Sequence, residues 1–168
     1  MKKSVLYLFF PALISSAFAL SASDIASNPA YDDDWTTGDN GGSGFLDWSL
    51  SSDSGTGGFA GVFVGDSTAG AGDINTGGES FGLFANGAAD SSVEAIRSFS
   101  TSLTTNDRFT FDFAVNFSDG NRGFNLRSGG DNVVGLNISS GGASISTVFT
   151  DNPTTTQTYD YGGGDALL

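Results

Sequence analysis

Arg108-Phe109-Thr110-Phe111-Asp112-Phe113-Ala114-Val115-Asn116-Phe117 is the stretch that decides the fold class. Phe109, Phe111, Phe113, Val115 and Phe117 alternate with Arg108, Thr110, Asp112, Ala114 and Asn116. Successive side chains on a strand point to opposite faces, so this spacing predicts one aromatic face turned into a core and one polar face in water. An antiparallel sheet with a solvated side reads this way; a parallel strand buried on both faces does not. Asn106-Asp107 before the run and Ser118-Asp119-Gly120-Asn121 after it supply turn chemistry.

The same alternation continues outward. Gly123 to Arg127, with Phe124 and Leu126 on one parity, predicts a hairpin partner for the Phe-rich strand. Further strands are predicted at 48–51, 59–64, 80–85, 95–99, 133–138, 143–149 and 155–161. Ser51-Ser52-Asp53-Ser54-Gly55, Gly70-Ala71-Gly72-Asp73 and Ser128-Gly129-Gly130-Asp131 lie between them as turns. Ser91–Ile96 is the one helical candidate, although Val93 and Ile96 also suit a strand. Many short strands with Gly/Asp/Asn/Ser punctuation and no long repeat predict an all-β protein. The expected form is an antiparallel β-sandwich of jelly-roll or concanavalin-like type. Asp165-Ala166-Leu167-Leu168 reads as the opening of another strand. A short final strand tucked into the sheet and a chain truncated before its last strands both fit, and the pattern leans to the second.

The first residues carry an address. Lys2 and Lys3 precede an apolar run from Val5 to Ile14, and Ala17-Phe18-Ala19 places small residues where a signal peptidase reads. The expectation is a bacterial secretory signal peptide over 1–19, cut after Ala19, with Ala22 as second choice. A linker over 20–30 and a single β-sandwich domain over 31–168 would follow, secreted or held in the cell envelope. The run is short for a membrane span, and no later stretch of the mature chain is long and apolar enough for one.

Composition removes most catalytic chemistries. The chain has no His and no Cys, and its only lysines leave with the leader. Cys/His zinc sites, thiolates, Schiff-base lysines and His-activated nucleophiles are therefore excluded. The whole chain carries a net charge of −13, and loss of Lys2 and Lys3 makes it −15. Nucleic acid and anionic membrane surfaces would be repelled. About 149 residues remain after Ala19, enough to stand on a hydrophobic core without disulfides.

Candidate site residues gather in Tyr31 to Trp48. Four carboxylates, one amide and four glycines lie within fourteen residues, 31 to 44. Asp32, Asp34, Asp39 and Asn40 are the candidate Ca²⁺ ligands, because calcium wants six to eight oxygens and acidic Gly-rich loops can deliver them. The spacing is not that of an EF-hand. Asp73-Ile74-Asn75, Asp119-Gly120-Asn121 and Asp131-Asn132 are further loop oxygens. Tyr31, Trp35 and Trp48, with Tyr159 and Tyr161, are candidate platforms for a sugar ring. A solvated loop with both tryptophans as core anchors is the plainer alternative.

No catalytic residue is assigned. The two glutamates, Glu79 and Glu94, stand far apart, and Asp112 reads as a cross-strand partner of Arg127 or Arg97. A carboxylate-only glycosidase stays as a remote alternative. Asn116-Phe117-Ser118 and Asn137-Ile138-Ser139 match the glycosylation pattern by chance.

The run Tyr31 to Trp48, Glu79-Ser80-Phe81-Gly82-Leu83-Phe84-Ala85-Asn86, Ile96-Arg97-Ser98-Phe99 and the Phe-rich strand together resemble a class of secreted bacterial β-sandwich modules. These occur in envelope proteins of the PEP-CTERM type, sometimes beside carbohydrate-active domains. The likeness spans about residues 28–168, without the Pro-Glu-Pro motif, hydrophobic span or basic end of the sorting tail. It implies a concanavalin-like shape and contact with glycan or matrix by analogy of fold. The reading is a non-catalytic module contacting extracellular polysaccharide or matrix, with Ca²⁺ as the one cofactor the loops offer. A structural or adhesive surface protein that recognises no glycan is the alternative.

Overall fold

The computed structural model describes residues 21–69, 72–104, 107–115, 120–139, 142–149, 152–159 and 166–167, with side chains as far as Ile138. The expected signal peptide lies outside the described residues. The protein is all-β and antiparallel, and the helical turns among the described residues are two single-turn 3-10 segments, Pro29–Tyr31 and Ser67–Ala69. Its strands are β1 (Phe45–Asp53), β2 (Phe59–Gly65), β3 (Ser80–Asn86), β4 (Ser92–Phe99), β5 (Ala114–Val115), β6 (Arg122–Ser128), β7 (Asp131–Ser139), β8 (Gly142–Phe149), β9 (Asn152–Tyr159) and β10 (Ala166–Leu167). Ser91–Ile96 is strand, not helix: Val93, Ala95, Arg97 and Phe99 are half-buried while the residues between them are exposed.

The ladders form two blocks. In the first, β1 pairs with β4 and β2 with β3. The connections 54–58 and 87–91 lie side by side, tied by Ser91 Oγ donating to the Ser54 carbonyl (2.9 Å) and Thr56 N–H donating to Asp90 (3.4 Å). The long β1–β2 and β3–β4 arms therefore bend together at one place. In the second block, β6-β7-β8-β9 form a four-stranded meander. Ser128 faces Asp131 across Gly129-Gly130, and Gly129 takes the left-handed φ of 62° that a two-residue hairpin turn requires.

That turn corrects the expected hairpin. β6 pairs with β7, its nearest neighbour through a two-residue loop, and not with the Phe-rich segment. Among the described residues of that segment, Ala114–Val115 is the laddered part, against β10. The alternation holds as packing in part: Phe109 and Phe113 are half-buried, Val115 is buried, and Arg108, Thr110 and Asp112 are exposed, but Phe111 on the inward parity is 40% exposed and Ala114 on the outward one is half-buried. Phe117 lies outside the described residues. Phe111 meets Phe124 at 4.2 Å between ring centroids and is flanked by Phe109 and Phe113 at 5.5 and 5.8 Å. The segment thus lies across the apolar face of β6–β7, where Phe124 and Leu126 oppose Leu136 and Val134. Val115 and Ile138 are the buried centre, with Phe113 and Leu136 against them.

Two ion-pair expectations change as well. Among the described residues Arg97 pairs with Asp24 and Arg127 with Glu94 (3.1 Å), neither with Asp112, which is exposed. The Arg127–Glu94 pair is largely solvated, so it orients β6 against β4 more than it stabilises them.

Ile138 is fully buried, so truncation opens a cavity under the phenyl layer. Ile138→Ala is expected to cost about 2–5 kcal/mol in chemical unfolding, whereas Thr110→Ala on the wet side of the segment should change the midpoint little.

Candidate functional site

The stretch expected to be a linker is instead packed into the protein. Ser23 and Ser43 exchange backbone hydrogen bonds at 2.9 and 2.8 Å, and Ala26 is buried. Gly42 and Gly44 make this possible: a Cβ on either would fall within van der Waals contact of the backbone of residues 21–24, and both have positive φ. Beyond the Pro29 turn, capped by the Asn28 side chain, the chain delivers Tyr31 and Trp35 inward.

At the centre is Arg97, whose side chain is 4% exposed. Its strand places it on the inward parity with Val93, Ala95 and Phe99. A guanidinium has five N–H donors, and here each has an acceptor. Nε donates to the Leu46 carbonyl (2.7 Å), and one terminal nitrogen donates to the Asn40 side-chain oxygen and the Gly41 carbonyl (both 2.6 Å). The other donates to Asp24 Oδ2 and to the Tyr31 hydroxyl (3.3 Å). Its carbon lies 4.9 Å from the Phe45 ring centroid and 5.2 Å from that of Trp48.

Tyr31 is the second hub. Its hydroxyl donates to Asp24 (2.5 Å) and accepts from Gly41 N–H (3.1 Å) and Trp48 Nε1 (3.2 Å). Burial first, and the Asp24 bond second, push this phenol above its ordinary value of 10.0. Phe81 of β3 closes the cluster, at 4.5 Å from Trp35, 5.0 Å from Tyr31 and 5.6 Å from Trp48. Trp35 Nε1 is buried without a hydrogen-bond partner among the described residues.

The predicted site residues are thus brought together, but as an interior. Tyr31 and Trp35 are buried at 3% and 4% exposure, and half-buried Trp48 is covered by Arg97, Trp35 and Phe81. In this arrangement all three rings pack against Phe81, and Trp35 packs against Trp48. The expected calcium ligands are dispersed in role. Asn40 is held by Arg97, and the Asp39 carboxylate accepts the Thr36 N–H (2.6 Å). Asp32 and Asp34 are exposed. Among the described residues no three acidic groups are placed to share an ion. Asp73 and Asn75 belong to a self-stapled loop in which the Thr68 hydroxyl first, and Asn75 Nδ2 second, donate to Asp66 and hold that carboxyl below its ordinary value. Tyr159 and Tyr161 lie outside the described side chains.

Exposed aromatic surface is found elsewhere, on the outer face of β2–β3. Cross-strand partners there are Phe59 with Asn86, Gly61 with Phe84, Phe63 with Gly82 and Gly65 with Ser80. Phe59, Phe63 and Phe84 are 72%, 49% and 37% exposed. The Phe63 ring lies across Gly82 and the Phe84 ring across Gly61: a Cβ at those glycines would meet the rings at 2.3 and 3.0 Å. Their centroids are 6.3 Å apart. No residue of either strand is charged. The signal for this strip was a charge-free pair of strands with glycine and phenylalanine on one parity; for Arg97 it was a cation on the apolar parity of β4. Comparison with known proteins adds no likeness: no family model, curated protein or solved structure matches the chain.

Two outcomes follow. Arg97→Ala leaves Asp24 buried and unpaired and is expected to cost about 3–5 kcal/mol in urea unfolding. Arg97→Lys, with three donors for five acceptors, should recover only part of it. The raised Tyr31 phenol contributes stability that is whole below pH 10.0 and is lost as pH climbs through the folded value, because the unfolded chain gives up its proton first. Tyr31→Phe, though less stable near neutrality, should show a flatter alkaline limb in a plot of urea midpoint against pH.

Proposed function

We propose that this protein is an exported, non-catalytic binding module that meets extracellular polysaccharide, or the cell's own matrix, through the outer face of β2–β3. The observation that carries the reading is the strip of Phe59, Phe63 and Phe84, set on glycines and free of charge in a chain of net charge −13. An aromatic ring offers a flat apolar surface to the C–H face of a sugar. Phe63 and Phe84 are already seated against the opposite strand, so little rotamer freedom is lost when a ligand settles on them. The overall acidity favours a neutral polymer over an anionic one, since like charge repels across the whole surface. An exposed apolar strip of this kind marks a contact surface more often than it marks nothing.

Affinity electrophoresis tests the proposal. Migration of the protein should be retarded by a neutral glucan in the gel and less, or not at all, by a uronic-acid polymer. Phe63→Ala with Phe84→Ala should weaken retardation by about tenfold or more, some 1.4 kcal/mol, with the circular dichroism spectrum unchanged. Absence of retardation across neutral glycans, or retardation untouched by the double change, would overturn the reading and favour a structural surface protein.

A further inference from the structure

The chain contains two Asn-Gly dipeptides, Asn40-Gly41 and Asn86-Gly87. Such pairs share a reaction that needs only solvent. The backbone nitrogen of the second residue, on losing its proton, attacks the asparagine side-chain carbon. A new C–N bond closes a cyclic imide and the side-chain amide leaves as ammonia. Water then opens the imide at either carbonyl, yielding aspartate or isoaspartate. Glycine in second place speeds the attack because no Cβ obstructs it. The step also requires that the attacking N–H and the asparagine side chain be unclamped.

The two pairs differ sharply in this respect. Gly41 is buried, and its N–H donates to the Tyr31 hydroxyl at 3.1 Å. Its carbonyl and the Asn40 side-chain oxygen both accept from Arg97 at 2.6 Å. Asn40 is itself exposed, but both reacting groups are held by hydrogen bonds to the Arg97–Tyr31 cluster. Asn86 and Gly87 are exposed at the end of β3, and Gly87 sits at a φ of 89°. Among the described residues neither the Asn86 side chain nor the Gly87 N–H makes a hydrogen bond. The nearest atoms to a Cβ at Gly87 would be 3.4 Å away, so nothing crowds the turn.

We infer that Asn86 is a site of spontaneous deamidation in the folded protein, and that the Arg97–Tyr31 cluster protects Asn40 from the same fate. Asn86 is the cross-strand partner of Phe59. Conversion puts a carboxylate at the end of an uncharged aromatic strip, and the isoaspartate product also adds a methylene to the backbone there. If the strip contacts polysaccharide, as proposed above, that contact weakens with age; the chemical assignment itself does not rest on that reading.

Peptide mapping decides it. The mature chain is aged at mildly alkaline pH, folded and in urea, then cut with chymotrypsin and sequenced by mass spectrometry, with isoaspartate counted by enzymatic methyl transfer. In the folded chain Asn86 should convert at least about tenfold faster than Asn40, a barrier difference of some 1.4 kcal/mol, and urea should erase the gap. Asn86→Gln should remove the signal, and Tyr31→Phe should accelerate conversion at Asn40. Equal rates in the folded chain, or an Asn86 that converts in urea and stays intact when folded, would overturn the inference.

Discussion

A guanidinium withdrawn from water must find an acceptor for every N–H it carries, and Arg97 does so with groups drawn from three places in the chain. Asp24 and Tyr31 come from the N-terminal segment, Asn40 and Gly41 from the Gly-rich loop, and Leu46 from the start of β1. Each acceptor supplied is also a constraint on where its backbone runs. The segment 21–44 is held against β1–β4 by this set of bonds together with the Tyr31, Trp35, Trp48 and Phe81 rings. The cluster combines a desolvated ion pair with a guanidinium whose every N–H has an acceptor, which is the condition under which such a pair holds a structure in place instead of destabilising it.

The same constraint occupies two of the loop's oxygen-bearing side chains: Asn40 accepts from Arg97 and Asp39 from the Thr36 backbone. The loop's glycines serve close approach. Gly41 lies under the Tyr31 ring, and Gly42 and Gly44 lie against residues 21–24. Asn40 and Gly41 of this run thus serve one buried cation, while Asp32, Asp33 and Asp34 stay exposed.

Strand positions were legible because they rest on local rules. Parity and turn residues located β1 to β4 and β6 to β9 to within a few residues, and the one helical candidate fell where Val93 and Ile96 had already suited a strand. Pairing was less legible. The Phe-rich run has the right alternation for a strand, yet rings 109, 111 and 113 are used to cover a sheet while β6 takes the partner its short turn supplies. Two apolar faces can meet by packing as well as by hydrogen bonding, and alternation alone does not distinguish them. The Asp24–Arg97 contact was illegible for a different reason: 73 residues separate its members, and no spacing rule reaches that far. The tryptophans and Tyr31 were noticed for their chemistry, but burial decides whether an aromatic is an anchor or a platform, and burial is a property of the fold.

Acidity and the exposed strip on β2–β3 bear on each other. A chain that leaves Phe59, Phe63 and Phe84 exposed on one sheet face has a surface prone to bind its own copies. A net charge of −13 opposes that association, because two copies approach with like charge all round their rims. The repulsion is blind to a partner that carries no charge. Glycines opposite Phe63 and Phe84 complete the arrangement by letting the rings lie down on the neighbouring strand, which reduces the apolar area each presents and fixes its orientation. The strip thus combines fixed ring orientations with a surrounding charge that disfavours the pairing of two copies.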